Sequence, residues 1–329
     1  MAFFNNTIFI LVFDNNLALL YNMLIFRGGF NMQKFYNFCT NTDLHATVIL
    51  PGACNARCNF CYDISESVKY DDYKGKLDDT ISKIPIEARK FAITGMETSY
   101  SPYFKDVLEL SKKYKDEGRF DFIFLNSNGS NLKNFIKELN EGLDALNISR
   151  HSANDEDNYK IFNTNTVPST EELVELISQL NLNAGVNINT VVTDDLSEEE
   201  VERKTLDMID LCNYIGATSL TLRFEAHDRL RPNKLLPFFE KYDTISERAN
   251  PGCHFWLKKI NDFNVVLKHV TKEPTSYSNW NYGYIIQRNL DITRDWAGKK
   301  LHNLSIAQII ETSIEDNEIG FNEKVLQKR

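Results

Sequence analysis

From about residue 46 onward, two patterns of apolar and polar positions take turns along the chain. Short runs, mostly apolar and rich in β-branched or aromatic residues, cover Ala46–Leu50, Lys90–Gly95, Phe120–Asn126, Ala145–Arg150, Gly185–Thr193 and Ser219–Glu225. Such runs fit strands covered on both faces, where alternation fades because neither face meets water. The stretches between them carry apolar residues at helical spacing. Two have a start signal, Ser169 with Glu172 ahead of Leu173-Val174 and Ser197 with Glu200 ahead of Val201. In each, the serine hydroxyl can accept from the third helical N–H while the glutamate reaches back. Pro102 is suited to the first turn of a helix over Tyr103–Tyr114, where its missing N–H costs no hydrogen bond.

Six strand–helix units across residues 46–228 predict an α/β fold with parallel strands and right-handed crossovers. A doubly wound sheet and a partial (β/α)6 TIM-like barrel both satisfy that rhythm. No GxGxxG follows the first strand, and the partial barrel is the expectation. Beyond residue 229 the pattern changes: Leu235–Ser246 reads as helix, Phe255–His269 and Tyr282–Thr293 as strands, and Ser305–Thr312 as a last helix. Residues 229–329 are therefore expected to form a C-terminal α+β extension that helps close the barrel mouth, with Trp280, Tyr282 and Tyr284 as packing.

Residues 32–45 read as a lead-in, and residues 1–31 stand apart. Ile8–Phe13 and Leu17–Phe26 are apolar but too short to span a bilayer, and no basic residue precedes Arg27 as a signal peptide would require. Met32 is an alternative start; the competing reading is an N-terminal membrane contact, which would lack basic residues on its polar face.

The formal net charge of −9 supplies no global field for a phosphate backbone and weighs against a nucleic-acid partner. The chain has 6 cysteines, too few for a disulfide scaffold at this length. Three of them, Cys54, Cys58 and Cys61, are spaced C-x3-C-x2-C in the loop after the first strand. That crowding points to a metal or redox site in a reducing, cytoplasmic compartment. In a β/α barrel the loop opens on the face where active sites gather. A [4Fe–4S] cluster ordinarily takes four thiolates, so three leave one iron open to a ligand. Zinc with a fourth ligand such as His45 or His151 is the competing reading, as a structural site in a non-catalytic protein. Cys212 falls on the apolar face of a helix with Met208 and Ile209 and reads as core.

The motif, with Phe60 just before its last cysteine, resembles the signature of the radical S-adenosylmethionine (SAM) superfamily. The resemblance implies a [4Fe–4S] cluster on Cys54, Cys58 and Cys61, with Phe60 near the adenine of SAM. It implies an oxygen-sensitive enzyme that cleaves SAM reductively to a 5′-deoxyadenosyl radical, which abstracts hydrogen from a substrate. Further matches follow in order. Thr94-Gly95-Met96-Glu97-Thr98 is similar to the family's Gly-Gly-Glu-Pro segment, with Met and Thr as departures; Gly95 and Glu97 would approach the SAM amino group. Asn128 lies in a segment like the family's Asn-Gly turn, and Ser149 stands where a serine often meets the ribose or carboxylate. Asn187 and Asn189 alternate on one face of the fifth strand and are implied at the ribose, and Arg223 lies where the sixth strand passes the adenine.

Arg150 and His151 end the fourth strand and are candidates for substrate or SAM-carboxylate contact; the competing reading is a solvent-facing loop pair. Arg223 and Glu225 either pair with each other or bind cofactor. With no second group of cysteines, the resemblance points to single-cluster, viperin-like or cyclic pyranopterin synthase-like members. A small molecule or nucleotide is the substrate so implied, and a peptide is the alternative. A flavodoxin or ferredoxin would supply the electron.

Overall fold

The computed structural model describes residues 45–61, 68–193, 195–225, 235–250, 253–270 and 283–293. Residues 1–31, the Met32 start, Trp280, Tyr282 and Ser305–Thr312 lie outside the described residues. The strands are β1 His45–Leu50, β2 Lys90–Gly95, β3 Phe122–Ser127, β4 Ala145–Ser149, β5 Gly185–Thr193, β6 Ser219–Glu225, β7 Thr244–Asn250, β8 Cys253–Ile260, β9 Phe263–Val270, β10 Gly283–Ile286 and β11 Ile292–Thr293. They form one sheet in the order β11-β10-β1-β2-β3-β4-β5-β6-β9-β8-β7. From β10 through β9 every pairing is parallel, and the outer pairs are antiparallel. The sheet ends at β11 and β7 without closing, which makes it a partial barrel.

The helices are α1 Tyr73–Ser82, α2 Phe104–Asp116, α3 Ile136–Gly142, α4 Asp155–Phe162, α5 Thr170–Ser178 and α6 Glu198–Ile215. Both expected capping boxes are formed, at Ser169/Glu172 and Ser197/Glu200. Alternate strand residues such as Ile123, Leu146, Ile188, Leu220 and Leu222 join one core cluster with the helices, Cys212 and Met208 among them. Residues between them therefore face the other side of the sheet, where Asn126, Asn147, Asn187 and Thr221 meet one another. This second face is the inner face of the partial barrel.

Some expectations need correction. Pro102 lies in the turn before α2, whose N-cap is Tyr103, and so precedes the helix instead of opening it. Leu235–Ser246 is not one helix: a single 3-10 turn at Pro237–Lys241 gives way to β7. The run Phe255–His269 is a hairpin, broken at Asn261 and Asp262 with φ of 47° and 61°. Two consecutive left-handed residues make the tight turn whose twist suits paired strands, and Asn and Asp tolerate that conformation best after glycine. Tyr282–Thr293 likewise splits into β10 and β11, with Tyr284 packed in the core. The part read as a C-terminal extension thus continues the sheet at both ends.

Candidate functional site

The loop after β1 is tied down at many points. Arg57 donates its backbone N–H to the Phe162 carbonyl at 2.8 Å and its guanidinium to the carbonyls of Cys54 and Ala56 at 2.9 and 2.8 Å. Cys61 N–H reaches the Cys58 carbonyl at 3.1 Å, and Ala56 N–H points at the Cys54 sulfur at 3.3 Å. Cys54 and Cys58 are half-buried against Ala56, Tyr159, Phe162 and Val167, while Cys61 is exposed. All three thiols are free. Burial, then the fields of Cys61 and Cys54, pushes the Cys58 thiol up to about 11. Burial also raises Cys54, so loading of a metal must release protons.

The donor set fits an iron–sulfur cluster. Among the described residues no three His, Cys, Asp or Glu groups are gathered at the spacing of one ion's ligands. Three thiolates from one loop can each hold a different iron of a [4Fe–4S] cluster.

Asn55 binds this loop to the rest of the site. Its amide donates to Ser130 Oγ at 2.9 Å and Thr166 Oγ1 at 2.8 Å, and it accepts from Asn128 Nδ2 at 2.8 Å. Asn128 in turn donates its N–H to Glu97 at 2.6 Å. Glu97 also accepts from Ser127 Oγ at 2.7 Å and from both the N–H and Oγ of Ser99, at 3.1 and 2.8 Å. Burial pushes the Glu97 carboxyl up, opposed by these four hydrogen bonds. Gly95 is needed beside it, since a Cβ there would lie 3.1 Å from the Leu50 carbonyl oxygen. The Gly-x-Glu segment, the Asn turn and the cysteine loop are thus one network.

The other side of the site is built from β4, β5 and β6. His151 is buried, donates its backbone N–H to Asn158 Oδ1 at 2.9 Å and accepts from Val191 N–H on Nδ1 at 3.2 Å. The proton of the neutral ring therefore sits on Nε2. Burial, then the fields of Lys204, Arg223 and Arg150, holds this imidazole down to about 3. Its ring meets Phe60 edge-on at 4.8 Å and Phe162 at 4.9 Å, so strand four and the cysteine loop touch here. Arg150 is 1% exposed. It donates to the carbonyls of Ser152, Pro168 and Ala153 at 2.8, 3.0 and 3.3 Å and to Thr170 Oγ1 at 3.2 Å, and it pairs with Asp155. The solvent-facing alternative for this pair fails, and the Arg150 guanidinium is committed to holding the β4–α5 loops.

The two asparagines of β5 differ. Asn187 accepts from Ser219 Oγ and Thr221 Oγ1 at 2.8 and 3.1 Å and donates to Asn147 at 3.2 Å, which donates to Asn126 at 2.9 Å. Asn187 is thereby enclosed in a ladder across four strands. Asn189, beside Ser149 in the register, has a buried carboxamide oxygen without a hydrogen-bond partner. A ligand hydroxyl would satisfy it. Arg223 lies on the same face of β6 with its Nε buried. Of Glu225 the structure describes only its place at the end of β6. Asn55, Ser99, Ser130 and Thr166 were not singled out from the sequence. Their roles depend on partners far along the chain, which no spacing displays.

A free three-thiol loop at the carboxyl ends of parallel strands in a partial barrel defines an enzyme of the [4Fe–4S]- and SAM-dependent kind. Residues 48–207 match the family model described as the radical SAM superfamily, so this stretch of the chain carries a radical SAM domain. The fold is similar to that of Streptococcus suis SuiB bound to precursor peptide SuiA, at a TM-score of 0.55 and 11% identity over 93% of this chain and 70% of that one. SuiB bound to S-adenosylmethionine gives 0.51 and 11%, over 91% and 68%. Native anSMEcpe with bound AdoMet gives 0.51 and 15%, over 86% of each chain. At these identities the likeness speaks for the fold. No curated protein matches the sequence. Among the described residues no helix is long and apolar enough to cross a membrane.

Proposed function

We propose that this enzyme cleaves SAM reductively at a cluster held by Cys54, Cys58 and Cys61, and uses the resulting 5′-deoxyadenosyl radical to take hydrogen from a substrate in the barrel. The observation that carries the reading is the hydrogen-bonded path from the cysteine loop through Asn55 and Asn128 to Glu97. The bound cluster supplies the electron and an open iron for SAM. The chain's own residues position and shield. Phe60 and neutral His151 wall the adenine side, Gly95 and Glu97 border the amino group, and Ser149 and Asn189 offer their polar groups to the ribose or carboxylate. Asn128 and Asn187 act by holding their neighbours in place, and Arg150 by bracing the loops beneath His151. The electron comes from a flavodoxin or ferredoxin in the reducing cytoplasm.

For the substrate we favour a peptide, because the likeness to peptide-bound SuiB extends over 93% of the chain. The second reading, a small molecule or nucleotide of the viperin-like kind, is favoured by the single group of closely spaced cysteines. Anaerobic reconstitution should give about four irons per chain, and dithionite with SAM should release 5′-deoxyadenosine. A colourless protein carrying one zinc would overturn the proposal. Deuterium passing into 5′-deoxyadenosine from labelled peptides, and not from labelled nucleotides, would decide between the substrates.

A further inference from the structure

Two cations share one layer of the inner face. Arg223 on β6 lies directly beside Lys268 on β9, and Phe255 on β8 lies on the far side of Lys268. Leu222, Phe224 and Leu267, their strand neighbours, belong to the helix-packed core, so Arg223 and Lys268 point the other way. Phe255 packs with Leu257 and Val266 on that same face, and the Lys268 ammonium lies 5.6 Å from the Phe255 ring centroid. Arg223 stands in register beside Val191, whose N–H donates to His151 Nδ1 at 3.2 Å, and the His151 ring touches Phe60. The pair therefore belongs to the same mouth as the cysteine loop.

Like charges directly opposite on neighbouring strands destabilise a sheet. In a chain of net charge −9 the pair is not part of a general basic surface. An anion held between them would relieve the repulsion. An arginine presents five N–H donors in a planar fork, more than one carboxylate accepts, so it can serve a second anion beside any partner within the protein. Phe255, Leu257 and Val266 supply apolar surface next to the charges.

Resting on the reading that the inner face receives the substrate, we infer that Arg223 and Lys268 form a carboxylate subsite for that substrate, with Phe255 and Leu257 under its adjoining apolar part. In a peptide the group is an acidic side chain or a chain terminus. The other source of a carboxylate is SAM itself, and calorimetry on the reconstituted holoprotein separates the two. With SAM bound, N-acetylglutamate α-amide should bind about tenfold or more tighter than its neutral glutamine counterpart, as a charge-assisted contact would give. Lys268→Gln should remove the preference and Lys268→Arg should keep it.

Equal affinities, no binding of either probe, or a preference that survives Lys268→Gln overturns the subsite. A loss of SAM affinity in Lys268→Gln without any change in the probe preference also overturns it, and assigns the pair to the cofactor's carboxylate. The radical SAM reading fails separately, if wild-type holoprotein releases no 5′-deoxyadenosine under dithionite.

Discussion

The two sides of the barrel mouth are finished to different degrees. On the side of β1, β2 and β3, every polar group described above is answered within the protein: Glu97 accepts four hydrogen bonds, and Asn55 and Asn128 bind each other and their neighbours. On the side of β5, Asn189 keeps a buried oxygen without a donor. Buried polar groups normally find partners, and exceptions call for an explanation. The first side is a scaffold that presets the cysteine loop. The second leaves one buried acceptor open to a donor from a ligand, as the proposed function expects.

Substitutions can break that contrast. The largest effect is expected from Cys58→Ala, which should abolish both the cluster absorbance and 5′-deoxyadenosine release. Cys212→Ala, on the core face of α6, should leave both in place. Next comes Arg150→Met. It leaves three loop carbonyls without their donor, while the partly exposed Asp155 keeps Thr170, and urea unfolding should show a loss of about 3 kcal/mol, several buried acceptors each losing a donor.

The β5 asparagines provide the sharpest comparison. Asn187→Ala leaves Ser219, Thr221 and Asn147 without their partner and should cost about 1–3 kcal/mol of stability in the metal-free chain. Asn189→Ala removes an oxygen that has no partner. It should leave that stability nearly unchanged and show its effect as weaker SAM binding in the holoprotein. Equal losses of stability in the two variants would erase the distinction between the sides.

A separate effect is a pH dependence. The unfolded chain takes up a proton at His151 below about 6.5, whereas the folded ring refuses it until about 3. Protons then bind more to the unfolded state, so stability present above pH 6.5 is lost as pH falls toward 3. His151→Gln should flatten that slope in urea titrations run across the window.

Much of this was legible in the sequence, for identifiable reasons. Strands of the core are apolar runs buried by their own crossover helices, so local pattern and tertiary role coincide, and the observed ends of β1 to β6 fall within two residues of the expected ones. Both helix caps are local too. Beyond residue 229 the pattern misled because Asn261-Asp262 lies inside a continuous run of strand-forming residues, and a turn there is visible only to a reader asking which two residues tolerate left-handed backbone. In the site, the cysteine spacing announced the chemistry. The partners that hold it, such as Asn55 with Ser130 or Asn187 with Asn147, meet across 75 and 40 residues, and no motif records such pairs.

One pairing has a consequence for how the protein is made. β1, which launches the cysteine loop, is flanked on one edge by β2 and on the other by β10, with His45 beside Gly283. Synthesis runs from the amino end, so β2, from Lys90, follows β1 closely while β10, from Gly283, emerges much later. Until then one edge of the launching strand has open backbone groups. The platform for the thiols is therefore completed late, and iron delivered to the folded chain meets a loop already seated, whereas iron offered to a nascent chain meets one still half-anchored.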